Sequence, residues 1–579
     1  MPTTDTTRNP SGPELRLWPG VVLAVLLFVG RYLVPLVAPG AIMAAVLCAF
    51  AGTLLILVWW LFFSRAPWLD RLGAVALAIL AMVLARPFLH LSVARGNMGF
   101  QQVLLGVPLL GLALVIGAAA GRHQSPGRRR AILAAMLLAT AFSWTLVRSN
   151  GLTGDGMAEL AWRFSETAEE RLLATSGNDL LLPLPGLATG AGAGEGSPWP
   201  GLRGPRRDGV VAGSRLARDW SAAAPVELWR RPIGPAVSSF AVRGQLVYTL
   251  EQRGEEEIVA AYQLETGAPV WRHQDQARFW DAHVGAGPRA TPAVAGNRVF
   301  TLGATGILNA LDADTGALLW TRNAAADSGA KPPAWGFVSS PLVVGDLLIV
   351  QAGSLLAYDL ASGEKRWQGP PERGSYSSPQ LLTLEGVLQI VLVAHDTTYA
   401  VSPEDGSLLW EHAWDGIGIV QPVRLEGGDL LISLINGAAS PIGTRRIRVE
   451  KGPTGFTTRE LWTSEQLKPS FSDVVVHKGR AFGVDGRILA AVELENGQRV
   501  WKGGRYGEAQ LLLLPDQDLL LVLGEAGELA LVDTRGDSFQ ELARAQVLEG
   551  KCWAQPVLVG NLLLARSGEE MTAFRLPGA

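Results

Sequence analysis

One repeated pattern constrains this chain more than anything else in it. A short apolar strand runs into a polar turn that ends in glycine, and a tryptophan follows four residues after that glycine. The copies are Ala261-Tyr-Gln-Leu-Glu-Thr-Gly267 to Trp271, Ala310-Leu-Asp-Ala-Asp-Thr-Gly316 to Trp320, and Ala357-Tyr-Asp-Leu-Ala-Ser-Gly363 to Trp367. Ala400-Val-Ser-Pro-Glu-Asp-Gly406 to Trp410 and Ala491-Val-Glu-Leu-Glu-Asn-Gly497 to Trp501 complete the set. Each copy reads as a β-hairpin, with the glycine supplying a positive φ at the return and the tryptophan at a fixed place on the next strand. Val226-Glu-Leu before Trp229 and Arg459-Glu-Leu before Trp462 are weaker copies. The tryptophans at 229, 271, 320, 367, 410, 462 and 501 recur at intervals of about 45 residues, the length of a four-stranded propeller blade.

Such a blade cannot bury its faces alone, so a large aromatic packed between neighbours would cement the stack. Trp229, Trp271, Trp320, Trp367, Trp410, Trp462 and Trp501 are therefore read as structural. A degenerate unit follows over about 509–547, with Leu529–Asp533 as its third strand. A last unit, 553–579, supplies only three strands. The missing outer strand is the early one, Val226–Arg231, which closes the ring beside Met571–Arg575 and removes the open sheet edge. The expectation is an all-β, eight-bladed propeller over 226–579.

Residues 1–147 are different in kind. Five apolar stretches, about 17–38, 41–63, 72–91, 101–120 and 131–147, each approach the roughly 20 residues that span a bilayer core as a helix. They predict an all-α bundle of five transmembrane helices. The first stretch is too long, and lacks a small-residue cleavage site, to be a signal peptide. Arg8, Arg16, Arg65, Arg71, Arg122, Arg128, Arg129 and Arg130 fall on one side of these spans. Arg95 and Arg148 fall on the other, with Arg86 near a helix end. Arginine-rich loops stay cytoplasmic, which makes this a multi-pass inner-membrane protein with its N-terminus in the cytoplasm and everything beyond residue 148 in the periplasm or its equivalent. Arg31 lies within the first stretch, and is read as snorkelling or facing other helices.

Between the two parts, 148–225 reads as a linker. Thr167-Ala-Glu-Glu170 has the capping-box pattern and predicts a short amphipathic helix over 167–175. Pro183, Pro185 and Ala188–Gly196 read as coil. Ser197–Gly209 is rich in Gly and Pro and predicts an irregular, turn-rich lead-in to the propeller.

The formal net charge is −3, and no basic stripe with interleaved aromatics points to nucleic acid. Two cysteines, Cys48 and Cys552, provide neither a disulfide framework nor a zinc site. The seven histidines are scattered, so no metal site is assigned. Nucleophile-elbow, P-loop and dinucleotide patterns are absent.

The pattern A-x-D-x-x-T-G-x-x-x-W, clearest in Ala310–Trp320, resembles the pyrroloquinoline-quinone (PQQ) repeat. That repeat is shared by quinoprotein alcohol and glucose dehydrogenases and by outer-membrane assembly lipoproteins of the BamB type. The likeness covers roughly 226–579 and concerns the fold, since catalytic and non-catalytic propellers both carry the repeat. Trp199–Gly209 is similar to the segment that precedes PQQ-like propellers in many bacterial proteins. Five spans before eight blades resemble membrane-bound quinoprotein glucose dehydrogenase, although those enzymes are considerably longer.

Loops from the outer strand of one blade to the inner strand of the next rim the central funnel. From these loops come the candidate ligand-binding residues Trp280, Arg289, Lys331, Trp335, Lys468, Asp473, Arg505 and Lys551, with Tyr376, Trp414, Tyr506 and Trp553 nearby in sequence. Cations from separate blades could meet an anion, and PQQ carries three carboxylates. The resemblance implies Ca²⁺ as well, held by acidic and amide oxygens. Asp281, Glu411, Asp415, Asp473 and Glu508 form no compact match to such a motif. The adjacent-cysteine pair of the alcohol dehydrogenases is missing, so no catalytic residue is assigned. The chain is accordingly read as a membrane-anchored, non-enzymatic propeller that binds an extracytoplasmic protein or anionic small molecule. The alternative is a PQQ- and Ca²⁺-dependent alcohol or sugar dehydrogenase delivering electrons to quinone, and a ligand-coupled sensor is a third reading.

Overall fold

A computed structural model describes residues 15–38, 41–154, 156–175, 198–371, 374–436 and 440–579. The coil expected over 183–196 and the cation Arg8 lie outside them. The chain divides into two compact units. One holds the N-terminal residues to Ser165 together with Ala282–Val284, and the other holds Glu166–Asp281 and Gly285–Ala579.

The N-terminal unit is helical. Four of its helices are long and apolar enough to cross a membrane: Trp18–Val37, Ala44–Phe63, Trp68–Phe88 and Gln101–Ala120. The first runs through a π-helical turn at Val29–Leu33 that contains the buried Arg31. The fifth predicted span is the helix Pro126–Ser143, continued by a 3₁₀ turn at Trp144–Leu146. Arg128, Arg129 and Arg130 occupy its first turns, so it is apolar only from Ala131 onward. Arg129 and Arg130 both pair with Asp70, at 2.7 and 2.6 Å, in the first turn of the helix beginning at Trp68. A hairpin follows where only linker was expected, with Val147–Leu152 antiparallel to Ala158–Trp162.

In the second unit, Ala168–Thr175 is the predicted short helix. Its capping box is reciprocal: Thr167 Oγ1 accepts from the Glu170 N–H at 3.0 Å, and Glu170 Oε2 accepts from the Thr167 N–H at 2.6 Å. Eight antiparallel sheets then form the propeller. Blades 1 to 7 run in chain order, beginning with the inner strands Ala241–Arg243, Ala293–Ala295, Leu342–Val344, Gln380–Leu384, Val423–Arg424, Val475–His477 and Gln510–Leu514. Blade 8 takes three strands from the C-terminus and its outer strand, Val226–Pro232, from the start. Val226 lies opposite Arg575 and Arg231 opposite Met571.

The repeated motif is a joint between blades. Within its own blade each tryptophan except Trp462, which faces Arg446, lies opposite an alanine, as Ala310 opposite Trp320 and Ala357 opposite Trp367, and a bulge follows at once. In five of the seven the bulge turns the indole toward the next blade, where it covers the turn glycine. A Cβ on Gly363 would stand 2.6 Å from the Trp320 ring, and one on Gly316 would stand 2.5 Å from Trp271. The indole N–H donates to the carbonyl three residues before that glycine: Trp229 to Leu264, Trp271 to Ala313, Trp320 to Leu360, Trp367 to Pro403 and Trp462 to Leu494, at 2.9 to 3.3 Å. Blade 5 has a long hairpin, Ser440–Gly452 with Gly455–Ser464, in place of the usual turn. Trp410 of blade 4 therefore donates to Gln389 Oε1 of its own blade. The buried apolar clusters likewise draw on adjacent blades, as where Phe300 and Trp320 of blade 2 pack with Leu348 and Tyr358 of blade 3.

Candidate functional site: the upper face of the propeller

Antiparallel four-stranded blades put the outer-to-inner connections, and the turns between second and third strands, on one face of the ring, called the upper face below. A polar residue stands just before or at the start of each inner strand, and these residues hydrogen-bond around the ring. The Ser239 N–H donates to Thr291 Oγ1, Thr291 N–H to Ser340 Oγ, Ser340 N–H to Ser378 Oγ, and Ser378 N–H to Gln421 Oε1. Gln421 N–H donates to Asp473 Oδ1 at 2.7 Å. Gln555 Nε2 donates to Asp473 Oδ2 and Gln510 Oε1, and Ser239 Oγ donates to the Gln555 carbonyl, which returns the belt to blade 1. All eight residues are buried, so each bond satisfies a group that would be costly to leave alone. Sequence reasoning missed this belt. Its signal is the polar residue before proline in Thr291-Pro, Ser340-Pro, Ser378-Pro, Gln421-Pro and Gln555-Pro.

The lead-in segment lies across the channel that the inner strands enclose. Trp199 pairs with Val242 of blade 1, Pro200 accepts from Val294 of blade 2, and Val210 pairs with Leu513 of blade 7. Arg203 and Arg207 hold left-handed φ values of 58° and 55°, and the strain is supported by what their guanidinium groups reach. Arg203, 1% exposed, donates to the carbonyls of Asp208 and Val474 and lies 3.4 Å from Asp473. Arg207 donates to the carbonyls of Ser340 and Pro341. Burial, reinforced by Arg203, lowers the Arg207 guanidinium to about 10.

Four inter-blade loops contribute an aromatic layer. Trp335 and Tyr376 have ring centroids 4.7 Å apart, Trp335 and Phe471 6.3 Å, and Phe471 and Trp553 5.6 Å. His395 adjoins Tyr376 at 5.4 Å. These rings are half-buried. Beside them is a buried acidic pair. Glu525 accepts from Trp553 Nε1 at 3.1 Å and from Arg487 at 2.8 Å. Glu508 is raised to about 7 by burial and by the Glu525 charge, and its Oε2 has no hydrogen-bond partner.

Of the residues singled out in the sequence, Trp335, Tyr376 and Trp553 come together in this layer, and Lys551 sits 4.5 Å over the Trp553 ring. Asp473 belongs to the polar belt. Trp280 is half-buried in a short hairpin, opposite Ala286. Arg289 is committed elsewhere: it pairs with Asp281 at 2.7 Å and donates to the carbonyls of Gly285, Ala286 and Gly287, which braces its own loop. Arg505 is exposed at the end of the outermost strand of blade 6, Lys331 is exposed in its loop and Lys468 is half-buried. Tyr506 is core, with its hydroxyl on Glu541, and Trp414 lies under Arg445 at 4.2 Å. Arg289 is thus engaged within its own loop, and Arg505 ends an outer strand. Among the described residues no group of three or more His, Cys, Asp or Glu is placed to hold a metal ion. Phe471, His395 and Glu525 were not foreseen.

A family model described as outer membrane protein assembly factor BamB matches residues 255–416. The propeller has the PQQ-repeat, BamB-like fold. Curated relatives include BamB of Shewanella oneidensis, 26% identical over 331 residues, covering 53% of this chain and 78% of the relative. BamB of Yersinia pestis is 23% identical over 378 residues, covering 62% and 91%. Among solved structures, BamB from Moraxella catarrhalis is 18% identical, covers 61% of this chain and 98% of its own, and has a TM-score of 0.43. A europium-containing methanol dehydrogenase is 12% identical, covers 66% and 98%, and has a TM-score of 0.42.

Proposed function

We propose that this chain is a multi-pass inner-membrane protein whose BamB-like propeller lies outside the cytoplasm and works by binding a protein, without catalysing a reaction. One observation carries the reading. The upper face offers a half-exposed aromatic layer, Trp335, Tyr376, Phe471 and Trp553, above a channel whose inner wall is already engaged by the lead-in segment and its arginines. Large aromatics of this kind anchor protein interfaces. The relatives' name, an assembly factor, points toward a protein partner as well.

The membrane half of the proposal takes the helix Pro126–Ser143 as a fifth span. At one end Arg129 and Arg130 join it to Asp70, in the first turn of the helix from Trp68. At the other end Arg163 donates to the carbonyls of both Phe88 and Thr145, which close those two helices. The helices thus run parallel and end level, and a bilayer crossed by one is crossed by the other. Five spans with an arginine-rich, cytoplasmic N-terminal side put the propeller outside.

Two measurements test this. A reporter active only outside the cytoplasm, fused after Ala579, is expected to be active. The purified chain is expected to carry no stoichiometric PQQ or Ca²⁺ by mass spectrometry and absorbance. Stoichiometric PQQ would replace the binding reading with a quinoprotein dehydrogenase, and a reporter active only in the cytoplasm would overturn the topology.

A further inference from the structure

The helical unit carries an apolar collar at the end where Phe88 and Thr145 meet Arg163. Trp162 and Phe164 flank that arginine, with ring centroids 5.8 Å apart. Phe88, Met98 and Phe100 belong to the same end of the unit, and all five side chains are more than half exposed. The loop that presents two of them is held against its own preference. Asn97, Met98 and Gly99 have successive left-handed φ values of 48°, 56° and 86°, a conformation non-glycine residues rarely adopt. The hairpin is fixed in place by the Ser149 N–H, which donates to Ser92 Oγ at 2.8 Å, and by Arg163. Exposed arginines, Arg86 and Arg95, lie among these apolar residues.

The spacing along one helix identifies what covers this collar. From Trp68 to Phe88 the chain is a 21-residue helix. At 1.5 Å per residue that is about 30 Å, the thickness of a bilayer hydrocarbon core. Trp68, exposed and lying under Arg71 at 4.9 Å, marks one boundary with an amphipathic aromatic–cation pair, and Trp18 with Arg16 repeats it at 5.6 Å. Phe88 therefore marks the other boundary, and Arg163 ties Trp162 and Phe164 to it. Tryptophan is concentrated at just this depth in membrane proteins, and arginine side chains snorkel to it.

We infer that the hairpin Val147–Trp162 and the loop Gly96–Phe100 form a lipid-binding collar. Trp162, Phe164, Phe88, Met98 and Phe100 enter the headgroup–acyl boundary of the extracytoplasmic leaflet, while the exposed Arg86 and Arg95 meet lipid phosphates. The ligand is a bilayer surface, and the collar sets the depth of the anchor. The inference rests on the membrane reading above.

The test uses the full chain with Cys48→Ser, reconstituted in phospholipid nanodiscs, with an environment-sensitive fluorophore on Trp162→Cys or, separately, on Phe164→Cys. A label on Arg505→Cys, on the propeller, is the aqueous reference. Both collar labels are expected to be blue-shifted relative to the reference and quenched more by headgroup-proximal than by chain-terminal doxyl lipids. Iodide quenching at both is expected to be several-fold weaker than at 505. Iodide quenching equal to that at 505, in a chain that resists alkaline carbonate extraction, overturns the collar and leaves the anchor standing. Release of the chain by carbonate overturns the anchor and the collar together.

Discussion

If the tryptophan–glycine contact is the joint between blades, removing either member should hurt and removing both should hurt less than the sum. Trp320 and Gly363 make the test case. Trp320 is 8% exposed, packs beside Phe300 and donates to Leu360, so Trp320→Ala should cost about 3–5 kcal/mol. Gly363→Ala introduces two separate penalties. The residue sits at φ 71°, a left-handed conformation that costs alanine about 1–2 kcal/mol. Its new Cβ also stands 2.6 Å from the indole, an overpacking worth about 1–3 kcal/mol. In the Trp320→Ala background the indole is gone, and only the conformational penalty remains. The double variant should therefore be more stable than additivity predicts by about 1–3 kcal/mol. Denaturant unfolding of the solubilised chain, followed by β-sheet circular dichroism, measures all four corners of the cycle. Additivity within about 0.5 kcal/mol would show that the ring and the glycine do not bear on one another, and would refute the joint.

Glu508 gives a pH signature. Its carboxyl is raised from 4.5 to about 7 in the fold, so the folded chain holds that proton more tightly than the unfolded chain does. Stability from this group is greatest below pH 4.5, falls as pH rises from there to about 7, and is level above. Glu508→Gln should accordingly stabilise the protein at pH 8 by up to about 3 kcal/mol and have little effect at pH 4.5. A benefit independent of pH would refute the assignment. Arg203→Met should destabilise by about 3 kcal/mol, since it leaves Asp473 buried without its cation. An unchanged unfolding midpoint would show that the lead-in segment contributes nothing to the ring. Deleting Val226–Pro232 should yield an aggregating protein, because it opens the sheet edge along Met571–Arg575. A soluble, cooperatively unfolding product would mean that the ring closes some other way.

The repeat was legible because its physics is local. A bulge, a left-handed glycine and an indole recur at fixed offsets, so the blade number and the closing strand followed from sequence. The upper face was less legible because it is built from residues far apart in the chain. Ser340 and Ser378 look like ordinary turn residues until the ring brings the Ser340 N–H within 2.9 Å of Ser378 Oγ. Cations were harder to place from sequence. Arg289 and Arg505 are equally charged and both lie near the expected loops, yet one is absorbed by Asp281 eight residues away and the other faces solvent. The hairpin Val147–Trp162 was missed because Asn150, Gly151 and Gly154 interrupt its alternation and read as linker.

Blade 8 is spliced from both ends of the propeller sequence, and that makes completion of the ring a late event in the life of the chain. Val226–Pro232 has no partner until Glu570–Arg575 exists. Through the whole emergence of the intervening blades it waits as an unpaired strand. A chain halted anywhere short of Arg575 would present two raw sheet edges instead of none, visible to any protease or chaperone that reads exposed strands. The architecture thus turns synthesis through Arg575 into a structural property, one that the protein displays or fails to display on its own surface.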